Sequence, residues 1–406
     1  MVNVKTRGQK MLKISNKINN IATSATVVMS ELALELKLQG RDVVSLSIGE
    51  PGFFSPDCVK EAAKKAIDNN ITKYPPIDGI PQLKDAIIKR YKRDYGLSFN
   101  KNQICVTSGT KQSIHNIFTC VFDEGDEAIY FAPYWVCYPE QLKLAGAKSV
   151  IVKTHAENNF QLDIKEIEKA ITSKTRAIIL NSPNNPTGVL YTSETLASFA
   201  ELIRKYPDIW IISDEIYDQT LFDDVAISLL QLAPDLSNRF IIASGMSKGY
   251  AMAGWRVGYV IAPEILKNAI TKLQSQTTGG ACSISQMASI EALALDKKYL
   301  ERYTSIYKER VMYVYDYLND IVGVEVVRPS GTFYLFPKID KLLQKTSFKN
   351  DIEFCLALLK DQALAITPGS YFGLENYIRI SCADDLNILV DAMTRLAIFI
   401  ERAVNR

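Results

Sequence analysis

Histidine is nearly missing from this chain of 406 residues, which carries only His115 and His155. The two stand far apart and form no HxxxH pattern, which argues against a histidine metal site; no metal is expected. His115 falls in an expected helix and His155 in a turn-like stretch, so neither is taken as catalytic. No run of 18 apolar residues occurs, and no membrane span is expected. The seven cysteines are odd in number and show no CxxC spacing, which fits reduced thiols in a cytoplasmic protein. Charge of one sign is also lacking. The formal net charge of +2 offers no global field for nucleic acid or anionic lipid. There is no internal repeat, no low-complexity segment and no Pro/Gly/Ser linker. Residues Met1 to Asn20 are polar and lysine-rich without a long apolar core, which reads as a weakly structured arm rather than a secretory signal.

What is present is the balance of a globular protein, 47% hydrophobic and 23% charged. Residues 29 to 40 alternate in helical fashion up to Gly40, a C-cap candidate. Val43 to Ile48 read as a short strand. Residues 57 to 69 and 81 to 95 read as amphipathic helices. Apolar strands alternating with helices follow: Ile104–Val106, Ala128–Phe131, Ser149–Val152, Ala177–Leu180, Ile209–Ser213, Phe240–Ala243 and Val257–Ile261. Such alternation predicts an α/β fold with a mostly parallel sheet flanked by helices, and ligands at the carboxyl ends of its strands. Residues 283 to 320 read as one long helix. Strands at Val324–Val327, Thr332–Phe336 and Tyr377–Ser381, with helices near 350 to 361 and 384 to 402, make a smaller α+β unit. The expected division is an N-terminal arm at 1–23, a small-domain segment at 24–50, a large domain at 51–317 and a small C-terminal domain at 318–406.

Chemistry concentrates at the expected strand ends. Lys248, in Ser244-Gly245-Met246-Ser247-Lys248, closes an apolar strand, and Arg256 follows eight residues later among glycines. An amine beside a cation suits an aldehyde cofactor with a phosphate, as pyridoxal phosphate requires; a solvated lysine is the plainer alternative. Ser108-Gly109-Thr110 opens a helix, where backbone N–H groups can meet an anion or Ser and Thr simply cap. Asn185, in Asn184-Asn185-Pro186-Thr187-Gly188, sits in a turn after a buried strand, within reach of a phenolate oxygen at the ligand edge. Asp214, in Ser213-Asp214-Glu215-Ile216-Tyr217, either caps a helix or keeps a pyridine nitrogen protonated, and Tyr217 reaches the same ring. Arg379 is a lone charge in a period-2 strand, suited to a carboxylate fork or to a structural ion pair.

The ordered set, Ser-Gly-Thr, Asn-Pro-Thr-Gly, Ser-Asp-Glu-Ile-Tyr, Ser-Lys with its arginine, then a late strand arginine, resembles the aspartate aminotransferase family of fold-type I pyridoxal-phosphate enzymes. The resemblance runs from about Ser24 to the C-terminus. It implies the following roles. Lys248 forms the internal aldimine and shuttles the proton. Asp214 pairs with the ring nitrogen, while Asn185 and Tyr217 contact the phenolic oxygen. Ser108, Gly109, Thr110 and Arg256 hold the phosphate, and Trp135 stacks on the ring. Gly49 and Arg379 hold the substrate α-carboxylate, and Tyr74 crosses to the partner's phosphate in a homodimer. No arginine occurs from Val257 to Glu301, the region that in many relatives supplies one for the distal carboxylate. Lys111 and the segment Ser24-Ala25-Thr26-Val27 resemble a bacterial subgroup that uses lysine there. Thr110 departs from the smaller residue frequent in that subgroup. The implied reaction is transamination of L-aspartate with 2-oxoglutarate. Thr26 and Lys111 also permit prephenate. An aromatic- or alanine-type aminotransferase and a carbon–sulfur lyase share the cofactor residues. A cofactor-binding transcriptional regulator is disfavoured, because no winged-helix segment precedes Ser24.

Overall fold

The structure, a computed structural model, describes residues 13–23, 25–223 and 225–405, and for 25–28 the backbone alone. Seven apolar runs form one sheet: β1 (Ile104–Thr107), β2 (Glu127–Ala132), β3 (Lys148–Lys153), β4 (Thr175–Asn181), β5 (Trp210–Asp214), β6 (Phe240–Gly245) and β7 (Gly258–Ile261). Their spatial order is β1-β7-β6-β5-β4-β2-β3. Only β7 runs against its neighbours; the other pairings are parallel. Both faces are covered, which is why these strands read as continuous apolar runs rather than alternating ones. The expected α/β architecture is therefore present. The carboxyl ends of β1, β4, β5 and β6 meet at one edge, and the amino end of β7 meets them there.

A second core joins the two ends of the chain. Met29, Ala33 and Leu46 pack with Leu335, Phe354, Ile380 and Leu396. Val44–Ser45 pairs in parallel with Leu364–Ala365. Thr367–Pro368, Ile378–Ser381 and Tyr334–Leu335 make a three-stranded antiparallel sheet.

Several expectations are corrected. Val324–Val327 is not a strand; Glu325 makes a single bridge to Lys338, and Pro329 soon removes a ladder donor. Val43–Ile48 keeps strand pairing only at Val44–Ser45. The long helix is two helices, Ser283–Ala294 and Lys297–Asn319. The second is started by Asp296, whose carboxylate accepts the Tyr299 N–H at 2.7 Å. The first amphipathic helix begins at Ala25 and ends at Leu38, with Gly40 in the left-handed region at φ +83°. Most of the expected arm, residues 1–12, lies outside the described residues. Asn16–Asn19 form one helical turn, and the Ala22 N–H donates to Glu140 at 2.8 Å.

Candidate active site

The β6–β7 register explains the spacing of the lysine and the arginine. Gly245 pairs with Gly258, so Lys248 and Arg256 lie on the two arms of the connection between these antiparallel strands. Arg256 adopts φ +56°, a strained conformation for a side-chain-bearing residue. Its guanidinium donates to the Ala253 carbonyl at 2.9 Å and to the Ser108 carbonyl at 3.3 Å. Gly109, at φ +91°, precedes the helix Thr110–Val121, and any Cβ there would collide with the Arg256 guanidinium. This corner is a cradle of small backbone beside a cation at a 12-residue helix's N-terminus. The Thr110 hydroxyl donates to the Ser244 carbonyl at 3.0 Å. Its proton is thus committed, leaving the backbone N–H to face an anion.

Lys248 is half-buried on the floor of a cavity of about 620 Å³. Its ammonium donates to the Gly49 carbonyl. Burial first, then the Arg379 charge, pushes its pKa down to about 8, with Glu50 opposing. Asp214 closes β5 in the same cavity. Burial raises its carboxyl to about 6, against hydrogen bonds from the Tyr138 hydroxyl at 2.7 Å and the Ile216 N–H at 3.3 Å. Arg379 is 2% exposed. It donates to the Asn185 Oδ1 at 3.2 Å and the Ser47 carbonyl at 2.5 Å, while its buried Nε has no partner among the described residues. Because Asn185 Oδ1 faces the arginine, its amide Nδ2 is left to donate into the cavity. The Tyr217 and Tyr334 hydroxyls are hydrogen-bonded at 2.9 Å.

At the far end Lys111 is exposed, its ammonium 5.6 Å from the Trp135 ring centroid and beside the Cys137 thiol. Ser30, Glu31 and Leu34 of the helix Ala25–Leu38 form the wall there. Thr26 falls in that helix, but its side chain lies outside the described residues. Four cations, Lys111, Lys248, Arg256 and Arg379, face a cavity whose acids are Asp214 and Glu31, with Glu50 nearby. Such a basin suits ligands with several negative charges. Tyr74 does not line it. That ring is fully exposed, on a segment whose prolines pack against Gly280.

Sequence reasoning missed Tyr138, Asn181 and Tyr334. Asn181 donates to the Asp214 carbonyl at 3.1 Å and accepts the Asn185 N–H at 3.1 Å, tying β4 to β5. Tyr138 follows Trp135 by three residues, its N–H donating to the Trp135 carbonyl at 3.0 Å, and the two rings meet edge to face at 5.4 Å. No local spacing points from Tyr138 or Tyr334 to its distant hydroxyl partner. Among the described residues no cluster of His, Cys, Asp or Glu could hold a metal, and no helix is long and apolar enough to cross a membrane.

The family model for aminotransferase class I and II matches residues 41–393. The chain belongs to the class I and II aminotransferase family. That family uses pyridoxal phosphate. The chain is 41% identical over 389 residues to a probable aspartate/prephenate aminotransferase of Rickettsia felis, covering 94% of this chain and 95% of that one. It is 38% identical to the aspartate aminotransferase of Bacillus subtilis, covering 96% and 100%. Among solved structures, the aspartate aminotransferase of Rhizobium meliloti superposes with a TM-score of 0.94 at 36% identity, covering 97% of this chain and 100% of that one. That of Thermus thermophilus with maleate gives 0.90 at 35%, covering 96% and 100%. This aminotransferase chain thus has the fold-type I architecture that its motif order implied.

Proposed function

We propose that this chain binds pyridoxal 5'-phosphate at Lys248 and transfers the amino group of L-aspartate to 2-oxoglutarate, giving oxaloacetate and L-glutamate by a ping-pong mechanism. The residues fit the group: an amine whose pKa is pushed to about 8, a buried carboxylate, and a glycine cradle that any Cβ would fill. When bound, the cofactor supplies an aldehyde that takes up the amino group and a protonated ring that accepts electron density from the substrate Cα. Ser108, Gly109, Thr110 and Arg256 would hold its phosphate, and Trp135 would cover its ring. Asp214 keeps the ring nitrogen protonated, and Asn185 and Tyr217 donate to the phenolic oxygen. Lys248 would hold the aldehyde and, as a free amine, would carry the proton from the substrate Cα. Arg379, with the backbone at Gly49, grips the α-carboxylate.

The observation that carries the substrate is the cavity's charge layout, with Arg379 at one end and Lys111 at the other. A dicarboxylic amino acid suits two separated cations, and the relatives are named for aspartate. Prephenate is a second reading, favoured by Lys111, by Thr26 in the wall helix and by relatives named for both substrates. The exposed Tyr74 supports a homodimer in which each chain lends this ring to the other's phosphate. The two cores support a large domain at 51–317 and a small one built from 24–50 and 318–406. The test is a half-reaction. Aspartate alone should convert the yellow enzyme to the pyridoxamine spectrum with release of oxaloacetate. Borohydride should fix the cofactor to Lys248. Label on another lysine, or product release without a spectral change, would defeat the reading.

A further inference from the structure

Tyr334 sits where three parts of the cavity meet. It lies on the short strand Tyr334–Leu335 of the second core and is 1% exposed. Its ring carries the Arg379 guanidinium 4.7 Å from the centroid. Its hydroxyl abuts Gly49, where any Cβ would collide with it. The same hydroxyl bonds that of Tyr217 at 2.9 Å, and the two rings lie 5.8 Å apart, edge to face.

A phenol has one proton to give. If Tyr217 spends its proton on Tyr334, it has none for a ring oxygen in the cavity. The direction of this bond therefore decides what Tyr217 can do. Burial pushes both phenols up, Tyr217 further because Tyr334 beside it adds to the rise, while Arg379 pulls both down. The Arg379 guanidinium lies directly on the Tyr334 ring, 4.7 Å from its centroid, and draws charge from that phenol. The more acidic phenol is the better donor, which favours Tyr334 donating and Tyr217 accepting.

We propose that Tyr334 is a positioning residue acting through Tyr217: by donating to the Tyr217 oxygen it polarises that hydroxyl and turns its proton toward the cofactor's phenolic oxygen. This rests on the cofactor reading above. A donor at that oxygen withdraws negative charge that otherwise holds a proton on the neighbouring lysine-bound nitrogen. Losing Tyr334 should therefore make that nitrogen more basic.

The test is a spectral pH titration of holoenzyme, parent against Tyr334→Phe, Tyr217→Phe and the double variant, with thermal unfolding and aspartate kinetics in parallel. Tyr334→Phe keeps the ring under Arg379 and removes only the hydroxyl. Its absorbance midpoint should rise by about half a pH unit or more. Tyr217→Phe should rise further, and the double variant should match Tyr217→Phe alone, since Tyr334 acts only through that hydroxyl. A midpoint equal to the parent's in Tyr334→Phe, or shifts that simply add, would overturn the proposal. So would a lower melting temperature or a higher aspartate KM without movement of the midpoint, the mark of a merely structural tyrosine. If the parent itself showed no lysine-bound absorbance, the cofactor reading would fail first and this proposal with it.

Discussion

Asp214 is charged only at a cost. In the cofactor-free protein burial raises its pKa from 3.8 to about 6. Between those values the folded state binds more proton than the unfolded one, so stability falls as pH rises through the window. Above it the penalty is complete, about 3 kcal/mol for a shift of this size. Asp214→Asn removes the charge; its one oxygen can still accept from the Ile216 N–H, and its amide nitrogen can donate to the Tyr138 oxygen once that hydroxyl turns. The cofactor-free variant should melt higher than the parent at pH 8, and the difference should vanish near pH 4. With cofactor and aspartate the order reverses. Loss of the carboxylate facing the ring nitrogen should lower kcat/KM by about a thousandfold or more. Turnover within about tenfold of the parent would remove Asp214 from this role. Lys111 is the opposite case, an exposed ammonium beside an aromatic face and a thiol. Lys111→Ala should cost aspartate and glutamate about 2 kcal/mol in kcat/KM and leave alanine nearly untouched, with a normal cofactor spectrum. Equal loss for all substrates would assign Lys111 to the cofactor instead.

The elements aim these residues, and the turn at Gly109 is the most demanding of them. A side chain there meets both an unfavourable φ of +91° and the Arg256 guanidinium. Gly109→Ala should displace Arg256 and weaken cofactor binding by about tenfold or more, since a side chain at φ +91° and ψ 158° is strained by about 1–3 kcal/mol. Equilibrium dialysis with pyridoxal phosphate would read the change, and an unaltered affinity would remove this corner from the phosphate site. The same elements set what the sequence could tell. All seven large-sheet strands were visible because each carries an apolar run ended by a turn, buried in six and largely exposed in the edge strand Lys148–Lys153, and so were the strand ends carrying Asp214 and Lys248. The strand at Val324–Val327 was not there to find: a period-2 apolar pattern needs a partner, and only Lys338 supplies one. The break before Lys297 was readable at Asp296 but was hidden by apolar periodicity on both sides. Tyr138 and Tyr334 escaped for another reason. Their partners lie 76 and 117 positions away, and no local pattern encodes a hydroxyl meeting across such a gap.

At the scale of the whole molecule, the proposed homodimer would complete the cavity of each chain. The cradle at Gly109 and Arg256 presents backbone and one guanidinium to an anion, while Tyr74, the remaining residue of the proposed phosphate set, points its fully exposed ring away from this chain. A large aromatic ring held in water with no cover is costly surface, and a two-fold partner would bury it. In an isologous dimer each site then takes Lys248 from one chain and Tyr74 from the other. The consequence can be tested by mixing two damaged proteins. Lys248→Ala should be inactive, and Tyr74→Ala should bind cofactor weakly and turn over poorly at limiting cofactor. After the two are unfolded and refolded together, a mixed dimer holds one site with both defects and one with neither. Statistical mixing puts half of the dimers in that class, so about a quarter of parental activity should return. The recovered activity should keep the parent's cofactor affinity, because the intact site lacks nothing. If Tyr74 served its own chain, every site in the mixture would carry one defect or the other. Activity would then stay at the average of the two variants.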